Sequence, residues 1–176
     1  MLTVQRIKLG RFVAVAALLP LLIYSPAANS DPAVRNSWRG ITPLHSSAAD
    51  VARLIGNEPD SAEMAFSGPF KVEGGEVTFS YLTSSLAKIY RAPRSMIGKV
   101  FTIYFKPSDP MSRAELALTS NFKRCVEERD RTFYYFVSDI GVAYRFSRDN
   151  DRMETIIYQP TRGEVRSLAV NTDCVF

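Results

Sequence analysis

The sequence predicts an α+β fold: an antiparallel sheet of about five to seven strands with one short N-terminal helix packed on it. Three observations lead there. A single capped, amphipathic helix pattern stands near the front of the chain. Behind it run short apolar stretches with alternating side chains, separated by Gly, Pro and Asp turns. Strand patterns follow one another instead of alternating with helices, which excludes a βαβ architecture. Aromatic residues make up 11% of the chain, and such residues suit a pleated surface.

Each element has its own justification. Residues 31–37 read as a loose lead-in, and Trp38-Arg39-Gly40-Ile41-Thr42 as a short extended piece ending at Pro43. In HSSAADVARLIG, Ser47 is the N-cap and Asp50 completes a capping box. Val51, Leu54 and Ile55 recur at helical spacing and are expected to face a core, with Gly56 as the stop and Pro59 beyond. A helix this short holds only if its apolar stripe packs on something. Residues 65–72 are a strand candidate interrupted by Pro69, and Gly74-Gly75 reads as a hairpin turn. Val77, Phe79 and Tyr81 alternate with Thr78 and Ser80, the signature of a half-buried strand. Residues 84–91 read either as a helical turn or as a loop. Residues 100–105 (VFTIYF) form a strong strand before Pro107 and Pro110. Residues 112–118 fit a short helix or an irregular strand. Strands are expected at 132–137, at 141–146 and at 153–158, the last ended by Pro160, and residues 165–170 are expected to add an edge strand.

The first thirty residues carry an address. Arg6, Lys8 and Arg11 precede the apolar run of residues 12–24 (FVAVAALLPLLIY), and small residues follow at Ala28-Asn29-Ser30. That order is a secretory signal peptide, and the run is shorter than a membrane span of about 20 residues. Residues 1–30 are therefore expected to be removed, leaving residues 31–176 as a single secreted domain, periplasmic or extracellular. The chain has 22 basic and 18 acidic residues. Three of the basic ones lie in the leader, so the remainder carries 19 and 18, a net charge of +1. Near-neutral, dispersed charge gives no reason to expect nucleic acid, and no stable membrane anchor is expected in the mature chain.

Two cysteines, Cys125 and Cys174, are expected to pair in an oxidising compartment. With these two and a single histidine, the sequence does not assemble the four ligands of a structural zinc site, and neither metal nor cofactor is expected.

Resemblance to known proteins adds a second line of reasoning. Ser47, Asp50, Val51, Leu54, Ile55, Gly56 and, one position late, Pro59 resemble the helix that opens the units of outer-membrane assembly lipoproteins (SmpA/OmlA type) and of the β-lactamase-inhibitor-protein fold. The wider pattern is similar to a family of uncharacterised secreted bacterial proteins. Trp38, Gly40, Ile41, Pro43, Leu44 and Ser46 carry the likeness at the front; Gly141, Val142, Tyr144, Ile156, Tyr158 and Pro160 carry it at the back. The first likeness covers about twenty residues and the second most of the mature chain. The lipidated cysteine of the assembly lipoproteins is missing here, so their anchoring is not implied. What the resemblance implies is an envelope protein with a helix followed by antiparallel strands.

The candidate functional residues each have a plainer structural role beside the functional one. His45 lies just before the helix; adjacent Ser46 and Ser47 rarely suit a triad, and no G-x-S-x-G elbow exists. Trp38 and Arg39 are either an anchor for a partner or, for Trp38, a lid on the core. Tyr90, Arg91 and Arg94 combine an aromatic ring with two cations, fit for an anionic or glycan ligand, or form a polar loop. Glu127-Glu128-Arg129-Asp130-Arg131 reads as a solvated loop, and Asp149-Asn150-Asp151 as a hairpin turn lacking calcium-loop spacing. The run from Phe133 to Phe136 puts aromatics on both faces of one strand. Either both faces are covered, or one, around Tyr134 and Phe136, is a binding surface. No catalytic residue is assigned. The function expected is a non-enzymatic binding or interaction module of the bacterial cell envelope. The alternative is a small periplasmic ligand-binding protein or a hydrolase acting on an envelope polymer.

Overall fold

Alternating apolar side chains build the sheet. A computed structural model of the chain describes residues 36–57, 64–116, 118, 122–126, 133–147 and 151–168. These belong to one compact unit spanning residues 33–176. The leader, the charged run 127–131, residues 148–150 and Cys174 lie outside the described residues.

The elements in chain order are α1 (Ala48–Ile55), β1 (Phe66–Val72), β2 (Gly75–Tyr81), α2 (Ser84–Ile89), a 3-10 turn (Arg94–Met96), β3 (Val100–Pro107), β4 (Phe122–Val126), β5 (Phe133–Ser138), β6 (Val142–Ser147), β7 (Met153–Tyr158) and α3 (Arg162–Ser167). The seven strands form one antiparallel sheet in the order β1-β2-β3-β7-β6-β5-β4. The predicted α+β class is therefore the observed one. β1-β2-β3 and β4-β5-β6-β7 are two meanders. They join where Ile103, Tyr104 and Phe105 pair with Tyr158, Ile157 and Ile156.

Directly paired residues share a face, so the register assigns the sides. On the first face, Val77, Phe79 and Tyr81 of β2 and Val100 and Ile103 of β3 join Trp38, Ile41, Ala48 and Val51 in a buried cluster, with Ile55, Phe70 and Phe105 packed on it. Farther along, Phe146 and Met153 pack with Phe136, Tyr144 and Ile156, and with Leu116 and Leu118. Leu116 and Leu118 come from the connection between β3 and β4. That connection crosses the sheet because β4 sits at the far edge. On the second face, Cys125, Tyr135, Ala143 and Ile157 form a buried cluster flanked by Tyr104 and Val137.

α1 begins as predicted. The Ser47 hydroxyl accepts the Asp50 N–H at 3.3 Å, and the Asp50 carboxylate accepts the Ser47 N–H at 2.8 Å. Gly56 ends the helix at φ 81, donating its N–H to the Ala52 carbonyl at 2.8 Å. The buried stripe differs from the expected one. It runs through Ala48, Val51, Ala52 and Ile55, whereas Leu54 is 40% exposed. The steps of three and four from Ala48 place Leu54 to one side of the core.

Other expectations need correction. Residues 38–42 are not extended. Trp38 and Ile41 exchange both backbone hydrogen bonds at 2.9 Å, and Arg39 and Gly40 between them have φ of 47 and 86. This is a tight hairpin turn with positive φ at both central residues. The edge strand expected at 165–170 is instead α3 over 162–167, with the described residues ending at Leu168. The Thr161 hydroxyl accepts the Glu164 N–H at 3.3 Å, while the Glu164 carboxylate accepts the Thr161 N–H at 2.8 Å. That is a second capping box. More than one helix is thus present, since residues 84–89 are also helical, capped by the Thr83 hydroxyl. Residues 112–116 form a turn held by a third such box, between Ser112 and Glu115. β4 had no sequence forecast. Its FKRCV exposes Lys123 and Arg124, and charges on an edge strand discourage pairing with another chain.

Candidate functional site

The Trp38–Ile41 turn, the loop after it and α1 enclose a shallow cleft of about 580 Å³. Arg39, Ile41, His45, Asp50, Arg53 and Leu54 are among the residues that line it. The chain reaches this arrangement because its N-terminal segment is stitched to the start of β3. Val100 donates its N–H to the Ser46 carbonyl at 2.9 Å, and Ala48 donates to Gly98 at 3.3 Å. The Lys99 ammonium donates to the His45 carbonyl at 2.9 Å.

Trp38 is the keel of the site. Its side chain is 5% exposed and meets Phe79 edge-on at 5.8 Å and Phe105 at 5.9 Å. Of its two expected roles, the structure gives it that of a core residue. Arg39 lies above it, with Cζ 5.2 Å from the Trp38 ring centroid. The same guanidinium donates to the Glu73 carbonyl at 2.9 Å and stands 3.8 Å from the Glu73 carboxylate. An aromatic face and a carbonyl thus orient Arg39 at the cleft rim.

Each basic side chain named at the rim has an acid beside it. Arg53 Nη1 lies 3.3 Å from Asp50 Oδ1, and His45 Nε2 lies 2.8 Å from Glu164 Oε1. Glu164 divides its oxygens: Oε2 caps α3, and Oε1 meets the histidine. Burial pushes the Glu164 carboxyl upward, but hydrogen bonds from the Thr161 hydroxyl and N–H and from His45 outweigh it. The group is held below the usual carboxylate range. The Ser47 N–H and hydroxyl, with Arg53, lower Asp50 likewise against a small opposing effect of burial. Ser47 is committed to its cap, and the Ser46 hydroxyl accepts the Thr42 N–H at 2.9 Å. His45 accordingly faces a carboxylate that sequence reasoning did not identify. The signal was present as Thr161-x-x-Glu164 after Pro160, a pattern that places a glutamate at a helix start. What the arrangement offers chemically is recognition: oriented guanidinium groups and a carboxylate-paired imidazole beside the apolar Ile41 and Leu54.

The other predicted site residues lie elsewhere. Tyr90 ends α2 and stacks on Phe101 at 5.2 Å. Arg91, at φ 52, and Arg94 are exposed near it, and none of the three lines the cleft. Phe136 meets Phe146 edge-on at 5.7 Å within the first-face cluster, while Tyr135 on the second face is 5% exposed. At these positions of β5, Tyr135 is buried on the second face and Phe136 half-buried on the first. Tyr134 pairs through its backbone with Phe146 and Val126. Cys125 is buried at 5% exposure in β4. Among the described residues there is no cluster of three or more metal-ligating side chains and no helix long and apolar enough to cross a membrane. Comparison with protein family models, curated proteins and solved structures finds no significant match.

Proposed function

We propose that the chain is a non-enzymatic interaction module of the bacterial cell envelope, engaging its partner through the cleft beside Arg39. One observation carries this reading: a tight turn anchored by a buried tryptophan holds an arginine over that ring, at the rim of a cleft with an exposed leucine. Arginine next to an aromatic anchor is a common combination at binding hot spots. The matching partner surface offers a carboxylate or phosphate beside an apolar group. The decisive experiment is in-cell cross-linking of the tagged protein, followed by recovery from the envelope fraction. One dominant partner, lost in Arg39→Ala and Leu54→Asp variants that still fold, supports the module. A free monomer under the same conditions would sink it.

That second result would favour the other reading, a small ligand-binding protein or a hydrolase acting on an envelope polymer. The cleft volume lies in the range of small-molecule sites, and the His45–Glu164 pair stands at its edge. Glycan and metabolite screens against the purified protein test it.

The envelope location rests on the leader at residues 1–30 and on the cysteine pair. Intact mass of the exported protein is expected to start near Asp31, and a retained leader would refute export. Cys125 and Cys174 are proposed to form a disulfide, two thiols giving up two protons and two electrons to a disulfide oxidant of the compartment. Closing a loop of about 50 residues contributes at most roughly 4 kcal/mol on the chain-entropy account. Thiols that alkylate after denaturation without reductant would exclude the bond.

A further inference from the structure

One corner of the molecule gathers cations with no acid to balance them. Residues 77–108 hold five basic side chains and no acidic one. Lys99 is turned to the His45 carbonyl, and Lys106 lies near the far end of β3. The remaining three, Lys88, Arg91 and Arg94, stand exposed where α2 runs into the 3-10 turn. Among the described residues none of the three has an ion-pair partner. Between them stands Ile89, 70% exposed, the most exposed large apolar side chain among the described residues. We propose that this corner docks the protein reversibly on an anionic phospholipid surface, with the three cations at the headgroups and Ile89 entering the layer below them.

The backbone of the corner is tied down, so these groups are presented together. The Tyr90 ring stacks on Phe101 of β3 at 5.2 Å. Tyr90 and Ala92 donate their N–H groups to the Leu86 and Ala87 carbonyls at 2.9 and 2.8 Å, and Gly98 closes the loop by donating to Leu82 at 2.9 Å. Arg91, at φ 52, turns the chain off α2 toward Arg94. The charged ends carry no such restraint. At the cleft, Arg39 is fixed by the Trp38 ring and the Glu73 carbonyl, as suits a guanidinium meeting one fixed acceptor. Among the described residues no hydrogen bond holds the ends of Lys88, Arg91 and Arg94. A diffuse layer of headgroup charge asks for such adaptable cations on long apolar stems. Ile89 separates the possible partners. An acidic glycan would leave it in water, whereas the boundary between headgroups and acyl chains takes it out. At roughly fivefold for each cation, three give about a hundredfold preference for anionic over neutral lipid. The corner is distinct from the cleft, which none of its residues lines.

Sedimentation of the purified protein with vesicles tests this, with phosphatidylcholine alone set against equal parts of phosphatidylserine and phosphatidylcholine. The protein is expected to bind the anionic vesicles only, and to leave them as salt rises from about 0.1 M to 1 M. Lys88→Gln, Arg91→Gln and Arg94→Gln together are expected to lower binding roughly a hundredfold, with far-UV circular dichroism unchanged. Ile89→Ser is expected to lower it several-fold, and it decides the matter if the triple variant fails to fold. Arg39→Ala, in the cleft, is expected to bind vesicles as the wild type does. Equal binding to both kinds of vesicle, or full binding by the folded triple variant or by Ile89→Ser, overturns the proposal. So does a cross-linked protein lost in the triple variant while the wild type ignores vesicles, because the corner would then take an acidic protein. A partner captured through the cleft is expected to survive the triple substitution, so either surface can fail without the other.

Discussion

Single residues fix the turns that shape this molecule. Gly141 sits at φ 83 between β5 and β6, donating its N–H to Ser138 and accepting one from Gln159 at 2.8 Å. An added Cβ would run into the Gln159 carbonyl oxygen. Gly141→Ala is therefore expected to lose at least about 1–3 kcal/mol from the backbone conformation alone. Each kcal/mol lowers the melting temperature by roughly 2–4 °C in a chain of this size, which thermal unfolding would read. Trp38→Ala empties the space between Phe79 and Phe105 and is expected to lose about 3–5 kcal/mol. Arg39→Ala, at the surface, should leave stability nearly unchanged. Glu164 gives a pH signature. Its folded carboxyl titrates lower than in the unfolded chain, so its contribution is present above about pH 4.3 and lost as pH falls through the lowered value. Glu164→Gln is expected to weaken the protein at pH 7 and to flatten the acid limb of its urea stability profile. An unchanged limb would show that the Thr161 and His45 bonds do not persist in solution.

At the scale of elements, the same local device recurs with different legibility. Ser47-x-x-Asp50, Ser112-x-x-Glu115 and Thr161-x-x-Glu164 all form reciprocal boxes. Only the first was readable as a helix start, because eight helical residues with an apolar stripe and a terminal glycine follow it. The third begins a helix of six residues, too short for a period, and Val165 and Leu168 mimic the spacing of other short elements. β2 and β6 were legible from period-two alternation, β3 and β5 from their apolar and aromatic runs, and β7 as the strand returning after a polar turn. β4 was not, since an edge strand carrying Lys123 and Arg124 has no apolar period. Part of the cleft was visible as Trp38-Arg39, but the meeting of His45 with Glu164 spans 119 positions and no local pattern announces it. Ser47→Ala removes the hydroxyl that accepts the Asp50 N–H, leaving only the backbone half of the first box, and is expected to lose about 1 kcal/mol. Thr161→Ala should lose a similar amount and release the glutamate from its position beside His45. A histidine chemical-shift titration would detect that release even where stability changes little.

For the whole molecule, the critical feature is the seam between the two meanders. β3 and β7 are far apart in sequence and meet through three residue pairs. Every contact that unites β1-β2-β3 with β4-β5-β6-β7 within the sheet depends on this strand pair. Ile157→Ala removes a side chain 3% exposed at that line, opposite Tyr104 and Ala143. Its expected loss is about 2–5 kcal/mol, still in one cooperative transition. Two separate transitions would mean that the meanders fold independently. Such non-local pairing also implies folding slower than in a helical protein of equal length.

The turn that sets Arg39 over Trp38 has an optical consequence. The chain contains one tryptophan, and it lies beneath the cleft rim with a guanidinium on its ring. Its indole emission therefore reports on that rim without any attached label. An occupant that draws Arg39 away changes the charge above the ring, and the fluorescence of the unmodified protein registers the event directly.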